Sequence, residues 1–168
     1  MQQVLAQGGE LMQPRKQLRV WIPSNRAYTE GRNAGKPAPM DGLNELIASS
    51  RTDKYVGARK ERENVEHCAL FVRLAMRRCR YRPMTEGDRQ RCDVEVVIHE
   101  TSRRRDVPNV VGGVLKYVLD ALTARHKGGA AAIWDDSVRW IRYVTPHIVI
   151  DPDSPGVEVT VIPIEEKK

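Results

Sequence analysis

The run CDVEVVIHETSRRRDVPNVVGGVLKYVLDAL, residues 92–122, decides the fold, because its apolar period changes from two to nearly four within one stretch. From Asp93 to His99 the residues alternate, with Val94, Val96 and Ile98 on one side, which predicts a half-buried strand. Val110, Val111, Val114, Leu115, Val118, Leu119 and Leu122 then form a two-wide stripe repeating every four residues, which predicts a helix. On the opposite face of that helix fall Asn109, Gly112 or Gly113, Lys116 and Asp120. Each glycine there costs about 1 kcal/mol relative to alanine, so the pair calls for close packing or for a ligand, and the pattern leaves both open.

Downstream, Val138 to Ile150 is rich in β-branched and aromatic residues, and Gly156 to Ile164 alternates. The Asp151–Gly156 segment between them reads as a turn joining two antiparallel strands. Upstream, a long helix is expected from Lys54 to Arg80, capped by Thr52 or Asp53, with Val65, Cys68, Val72, Ala75 and Cys79 toward the core. Leu18, Val20 and Ile22 alternate in a first strand that Pro23 terminates. Residues 28–50 are rich in Gly, Pro and Asn and read as an exposed loop insertion, with Leu43, Leu46 and Ile47 giving no more than a helical turn. Residues 1–16 read as a flexible tail. The expected architecture is therefore a single α+β domain over residues 1–168, with a mixed or antiparallel sheet and two principal helices.

With 168 residues the chain is long enough to bury a core without disulfide or metal staples. No apolar run approaches the roughly 20 residues of a membrane-spanning helix, and the N-terminus lacks signal-peptide character, so a cytoplasmic protein without a membrane partner is expected. Cys68, Cys79 and Cys92 are odd in number and lack paired spacing, which makes them free thiols. The net charge is +6, and residues 51–105 hold 15 Lys/Arg against 9 Asp/Glu while the remainder balances 13 against 13. Such asymmetry favours an acidic partner, foremost nucleic acid.

Three chemical elements stand close together in sequence: Arg103-Arg104-Arg105-Asp106, the helix bearing Lys116 and Asp120, and Trp134-Asp135-Asp136. Carboxylates are the hard oxygen donors that Mg²⁺ prefers, and clustered arginines neutralise phosphates. Together they point to metal-assisted phosphodiester chemistry. Arg77 and Arg78, near the end of the long helix, either contact phosphates or complement the helix dipole.

These residues resemble the RusA-type Holliday-junction resolvases, small metal-dependent endonucleases common in phages and prophages. The resemblance rests on Pro23-Ser24-Asn25 after a first strand, the Arg-Arg-Arg-Asp-x-x-Asn run ending at Asn109, the Lys116-x-x-x-Asp120-Ala121-Leu122 helix, and Trp134-Asp135-Asp136 before a long strand. It implies a homodimer that binds four-way or otherwise branched DNA and nicks paired strands with Mg²⁺, for which Mn²⁺ is a substitute. By the same resemblance Asp106 and Asp136 are the metal ligands, Asp135 their acidic support and Lys116 the essential basic residue, while Arg103, Arg104 and Arg105 hold the DNA backbone. Asn109 is expected as the helix N-cap or as support for the site. The chain departs from the family pattern at Pro108, where a second carboxylate is usual, and Asp120 is the residue that could replace it. Loss of the metal site through Pro108 would leave a non-catalytic binder of branched DNA.

Overall fold

The computed structural model describes residues 15–165; most of the expected 1–16 tail lies outside them. Four strands form the main sheet. They are β1 (Leu18–Pro23), β4 (Cys92–Glu100), β5 (Ile141–Ile150) and β6 (Gly156–Pro163), in the order β1-β6-β4-β5. A two-residue ribbon, β2 (Arg26–Ala27) with β3 (Pro37–Ala38), lies between β1 and the helices. Three helices complete the α+β fold: α1 (Leu43–Thr52), α2 (Lys54–Cys79) and α3 (Val107–Leu122).

The alternation in β1, β4 and β6 puts Leu18, Val20, Ile22, Val94, Val96, Ile98, Val157, Val159 and Val161 on one sheet face, and all are buried. Onto this face pack Val65, Cys68 and Val72 from α2 and Val110, Val114, Tyr117 and Val118 from α3. Burial of this kind, at about 25 cal/mol per Å² of apolar surface, is the main stabilising term in the fold. The expected α2 boundaries agree with the structure to within a residue. Asp53 caps α2 by accepting the Tyr55 amide at 2.7 Å. Cys68 and Cys92 are buried, and burial pushes both thiols up to about 12. Cys79, expected toward the core, is exposed instead at the last turn.

Two expectations are corrected. Residues 28–50 are not a bare exposed loop: they supply β3, buried Met40 and Asp41, and most of the ten-residue helix α1, whose Leu46 is buried. The apolar patch is short, but α1 gains its stability from packing on α2 and α3. Second, β5 and β6 are not neighbours. β4 lies between them, pairing in parallel with β5 and antiparallel with β6. A short turn after β5 therefore crosses the end of β4, where the Asp151 amide donates to the Glu100 carbonyl at 2.8 Å.

Direction matters for the site. β1 is antiparallel to β6 and β6 to β4, so β1, β4 and β5 all run the same way. Their carboxyl ends lead into residues 24–42, 101–106 and 151–155, all at one end of the sheet. Helix α3 starts at that end and, with 16 residues, returns about 24 Å toward the amino end.

Candidate functional site

Asp106 occupies the N-cap position of α3, with Pro108 in the first turn. Its carbonyl accepts the Val110 amide at 3.0 Å, but its carboxylate makes no capping hydrogen bond. Pro108 needs no partner there, since a first-turn amide has no intrahelical acceptor in any case. Asn109 does serve as a cap, but for a different helix: its Oδ1 accepts the Asn44 amide of α1 at 2.6 Å. The Glu45 carboxylate accepts the Gly42 amide at 3.0 Å, completing the start of α1. Gly113 settles the question left open by the two glycines. A Cβ there would sit 2.3 to 2.5 Å from the Gly42 and Leu43 backbone, so close packing of α1 on α3 requires the glycine.

The arginine run divides. Arg103 and Arg104 are exposed at the carboxyl end of β4. Arg105 turns inward, its Nη1 donating to Glu100 Oε1 at 2.7 Å and to the Met40 carbonyl at 3.0 Å, and its Nη2 lying 3.3 Å from Glu45 Oε2. Its guanidinium joins β4 to the loop before α1. Burial pushes the Glu100 carboxyl above the usual range, and the Arg105 charge only partly offsets this.

Beside this strap lies Asp41, 6% exposed. Its Oδ2 accepts from Arg26 Nη2 at 2.5 Å and from Asn64 Nδ2 at 3.0 Å, and Lys60 Nζ is 3.3 Å from Oδ1. Burial raises the Asp41 carboxyl, but the hydrogen bonds from Arg26 and Asn64 and the charges of Arg26 and Lys60 outweigh it, so the net shift is downward. Tyr117 Oη donates to the Asp41 carbonyl at 2.8 Å. A cavity of about 740 Å³ opens here, lined by Arg26, Tyr28, Lys36, Asp41, Arg104 and Arg105 among others. None of Arg26, Asp41 or Asn64 emerges from a reading of residues 28–50 as an insertion. One signal was available: Asn64 interrupts the buried face of α2 next to Val65.

Adjoining the Asp41 group, from the middle of α3 toward its end, a second group assembles. Lys116 Nζ lies 2.7 Å from Glu61 Oε1 on α2, and that hydrogen bond raises the ammonium above its usual range. One turn on, Asp120 is partly buried, with His126 Nε2 3.8 Å from its Oδ2. Burial lifts the Asp120 carboxyl; His126 and Lys116 pull it down, while Asp136 and Glu61 push it up, and the net shift is upward. Lys116 is thus paired with Glu61, while its charge and that of Asp136 both act on Asp120. The segment that carries Asp135 and Asp136 is held to the end of α3 by Thr123 Oγ1, which donates to the Trp134 carbonyl at 2.9 Å.

Arg77 and Arg78 are exposed at this same end. Arg73 on α2 donates to the Gly128 carbonyl at 2.5 Å, and the Ala130 amide donates to the Ala121 carbonyl at 2.7 Å. The first bond ties the basic end of α2 to the loop that follows α3, and the second holds that loop on α3.

Asp106 and Asp136 do not converge, which overturns their expected pairing on one metal ion. Fourteen helical positions separate Asp106 from Asp120, about 21 Å along the axis, and Asp136 belongs with Asp120. Asp106 follows the carboxyl end of β4, whereas Asp136 precedes β5, whose first residue Ile141 pairs with Cys92 at the amino end of β4. Among the described residues no three His, Cys, Asp or Glu side chains form a metal-holding group. No helix among the described residues is long and apolar enough to cross a membrane. No family model matches the chain, and no curated protein matches it.

Proposed function

We propose that the protein is a divalent-metal-dependent endonuclease acting on branched DNA, with its reacting centre at Lys116, Asp120 and Asp136 and with Asp135 in support. The observation that carries this reading is that the charges of Lys116 and Asp136 both act on the half-buried Asp120, with Arg77 and Arg78 exposed toward the amino end of the sheet. The donor chemistry suits Mg²⁺, which commonly takes one or two carboxylates and completes its shell with water and phosphate oxygens. Burial is the main cause that lifts the Asp120 carboxyl, and a directly bound divalent cation would stabilise its charged form.

In this reading Asp120 and Asp136 hold the cation, which when bound activates water and stabilises charge on the attacked phosphate. Lys116, kept protonated by Glu61, provides a fixed positive charge where negative charge develops. His126 sits beside Asp120 and limits its repulsion from Asp136. Arg77 and Arg78 attract the nearby DNA backbone, and Arg103 and Arg104, at the opposite end, suit a second arm of a branched substrate rather than the scissile phosphate. A homodimer supplies two such centres, one for each of two like strands.

A second reading, a binder of branched DNA without cleavage, draws on the displacement of Asp106 and on Pro108. Incubating the purified protein with a labelled four-way junction and a linear duplex, with and without Mg²⁺, separates the two. The nuclease reading expects Mg²⁺-dependent nicking of the junction, lost in Asp120→Asn and Asp136→Asn and retained in Asp106→Asn. Binding without nicking under all conditions selects the second reading.

A further inference from the structure

Next to the acidic centre the chain builds a stack of indoles and guanidiniums. Arg89 Cζ lies 5.6 Å from the Trp134 ring centroid and 5.5 Å from that of Trp140, and Arg139 Cζ lies 5.2 Å from Trp140. These distances fall within cation–π range. Both arginines are exposed and both tryptophans half-buried. Among the described residues neither guanidinium has a carboxylate partner, in contrast to Arg26, Arg105 and Arg142. The indoles are anchored through their backbones: Thr123 Oγ1 donates to the Trp134 carbonyl, and the Trp140 carbonyl accepts the Cys92 amide at 2.9 Å.

A cation held on aromatic faces keeps its hydrogen-bonding edge available to an anion. The aromatic and guanidinium planes beside it offer surfaces on which a flat base can stack. Duplex DNA hides those base faces, whereas nucleotides at a branch point expose them. We propose that Arg89, Trp134, Trp140 and Arg139 form a platform for an unpaired nucleobase and its flanking phosphate, directly beside Asp135 and Asp136. The inference rests on the nucleic-acid reading above and adds a preference for unpaired nucleotides at the cleavage centre.

The test uses the full chain, with a labelled oligothymidylate and a blunt duplex as probes, and reads binding by fluorescence anisotropy at fixed salt. Base stacking on such platforms is sequence-tolerant, so Trp140→Leu and the pair Arg89→Gln/Arg139→Gln should each weaken oligothymidylate binding about tenfold. Duplex binding should change much less. Oligothymidylate should also quench tryptophan emission in the wild type, and the quench should shrink in Trp140→Phe. Because Trp140 helps to position β5, Arg139→Gln alone, at an exposed site, serves as the variant that keeps the fold and should show a smaller loss with the same selectivity. Equal losses on duplex and oligothymidylate, or no quench, would overturn the platform. If the platform variants bind and cut junctions like the wild type, the platform alone fails; if the wild type binds neither probe nor junction, the nucleic-acid reading fails with it.

Discussion

Two groups of charges along helix α3 are built in opposite ways. Beside its first half, Asp41 meets Arg26, Lys60 and Asn64, and Arg105 meets Glu45 and Glu100, so cations and anions are interleaved. Toward its end, burial lifts the Asp120 carboxyl although the charges of His126 and Lys116 pull it down, and Arg89 and Arg139 rest on indoles instead of carboxylates. The first arrangement fastens loops to the sheet. The second leaves a half-buried carboxylate and guanidiniums without carboxylate partners near the surface.

The comparison breaks most sharply at Asp41. Asp41→Ala leaves Arg26, Lys60 and the fully buried Asn64 without their common acceptor, and loss of one member of a buried ion pair costs about 3 kcal/mol or more. A urea titration should show a large drop in midpoint. The folded protein holds the Asp41 carboxyl below its ordinary value of 3.8. Its contribution is therefore present above that pH and lost as the pH falls through the depressed folded value. In Asp41→Ala that part of the acid sensitivity should be missing.

Gly113→Ala comes next. Its methyl would overlap the Gly42 and Leu43 backbone, and overpacking of this kind costs about 2 kcal/mol. Gly112→Ala, one residue away, meets only the Leu43 side chain at 3.5 Å and should gain about 0.5 kcal/mol from helix propensity. Opposite signs in thermal melts of the two variants would sharpen the contrast between the docked and open faces of α3. Equal effects would remove it.

Asp120→Asn should raise stability at neutral pH by up to about 0.5 kcal/mol, and on the proposed nuclease reading it should also abolish nicking. The sign follows from the upward shift of Asp120. Protonated Asp120 favours the folded state below the unfolded pKa, and that advantage disappears as the pH rises through the folded pKa. The gain from the asparagine should therefore vanish in melts at acid pH. The smallest effect belongs to Asp106→Ala, which removes an exposed carboxylate from a helix start and should cost about 0.5 kcal/mol without changing cleavage.

The elements most legible in the sequence are those whose pattern is local. β1, β4, α2 and α3 follow from alternation or a four-residue stripe, and Asp53 caps α2 from the next position in the chain. Helix α1 was not legible, because its buried contact comes down to Leu46 and part of its cap is Asn109, 65 residues away. The neighbours of β5 were not legible either, since alternation identifies faces and not partners. For the candidate site, Lys116, Asp120 and Asp136 could be found as residue types near one another in sequence, and Asp106 looked equivalent to them. A helix of 16 residues stands between Asp106 and the rest, so closeness in the chain became separation in space.

By itself the sequence determined which faces are apolar, where the longest helices run, that positive charge collects in one third of the chain, and which carboxylates and cations are available for chemistry. These properties depend on the order of residues over a few turns or strands. Only the tertiary structure decided that Arg105 binds inward while Arg103 and Arg104 stay exposed, that Asn109 caps α1, and that Asp136 joins Asp120 and leaves Asp106 behind. Each of those outcomes depends on the length and direction of the elements between the residues, and α3 carries its two ends to opposite edges of the sheet.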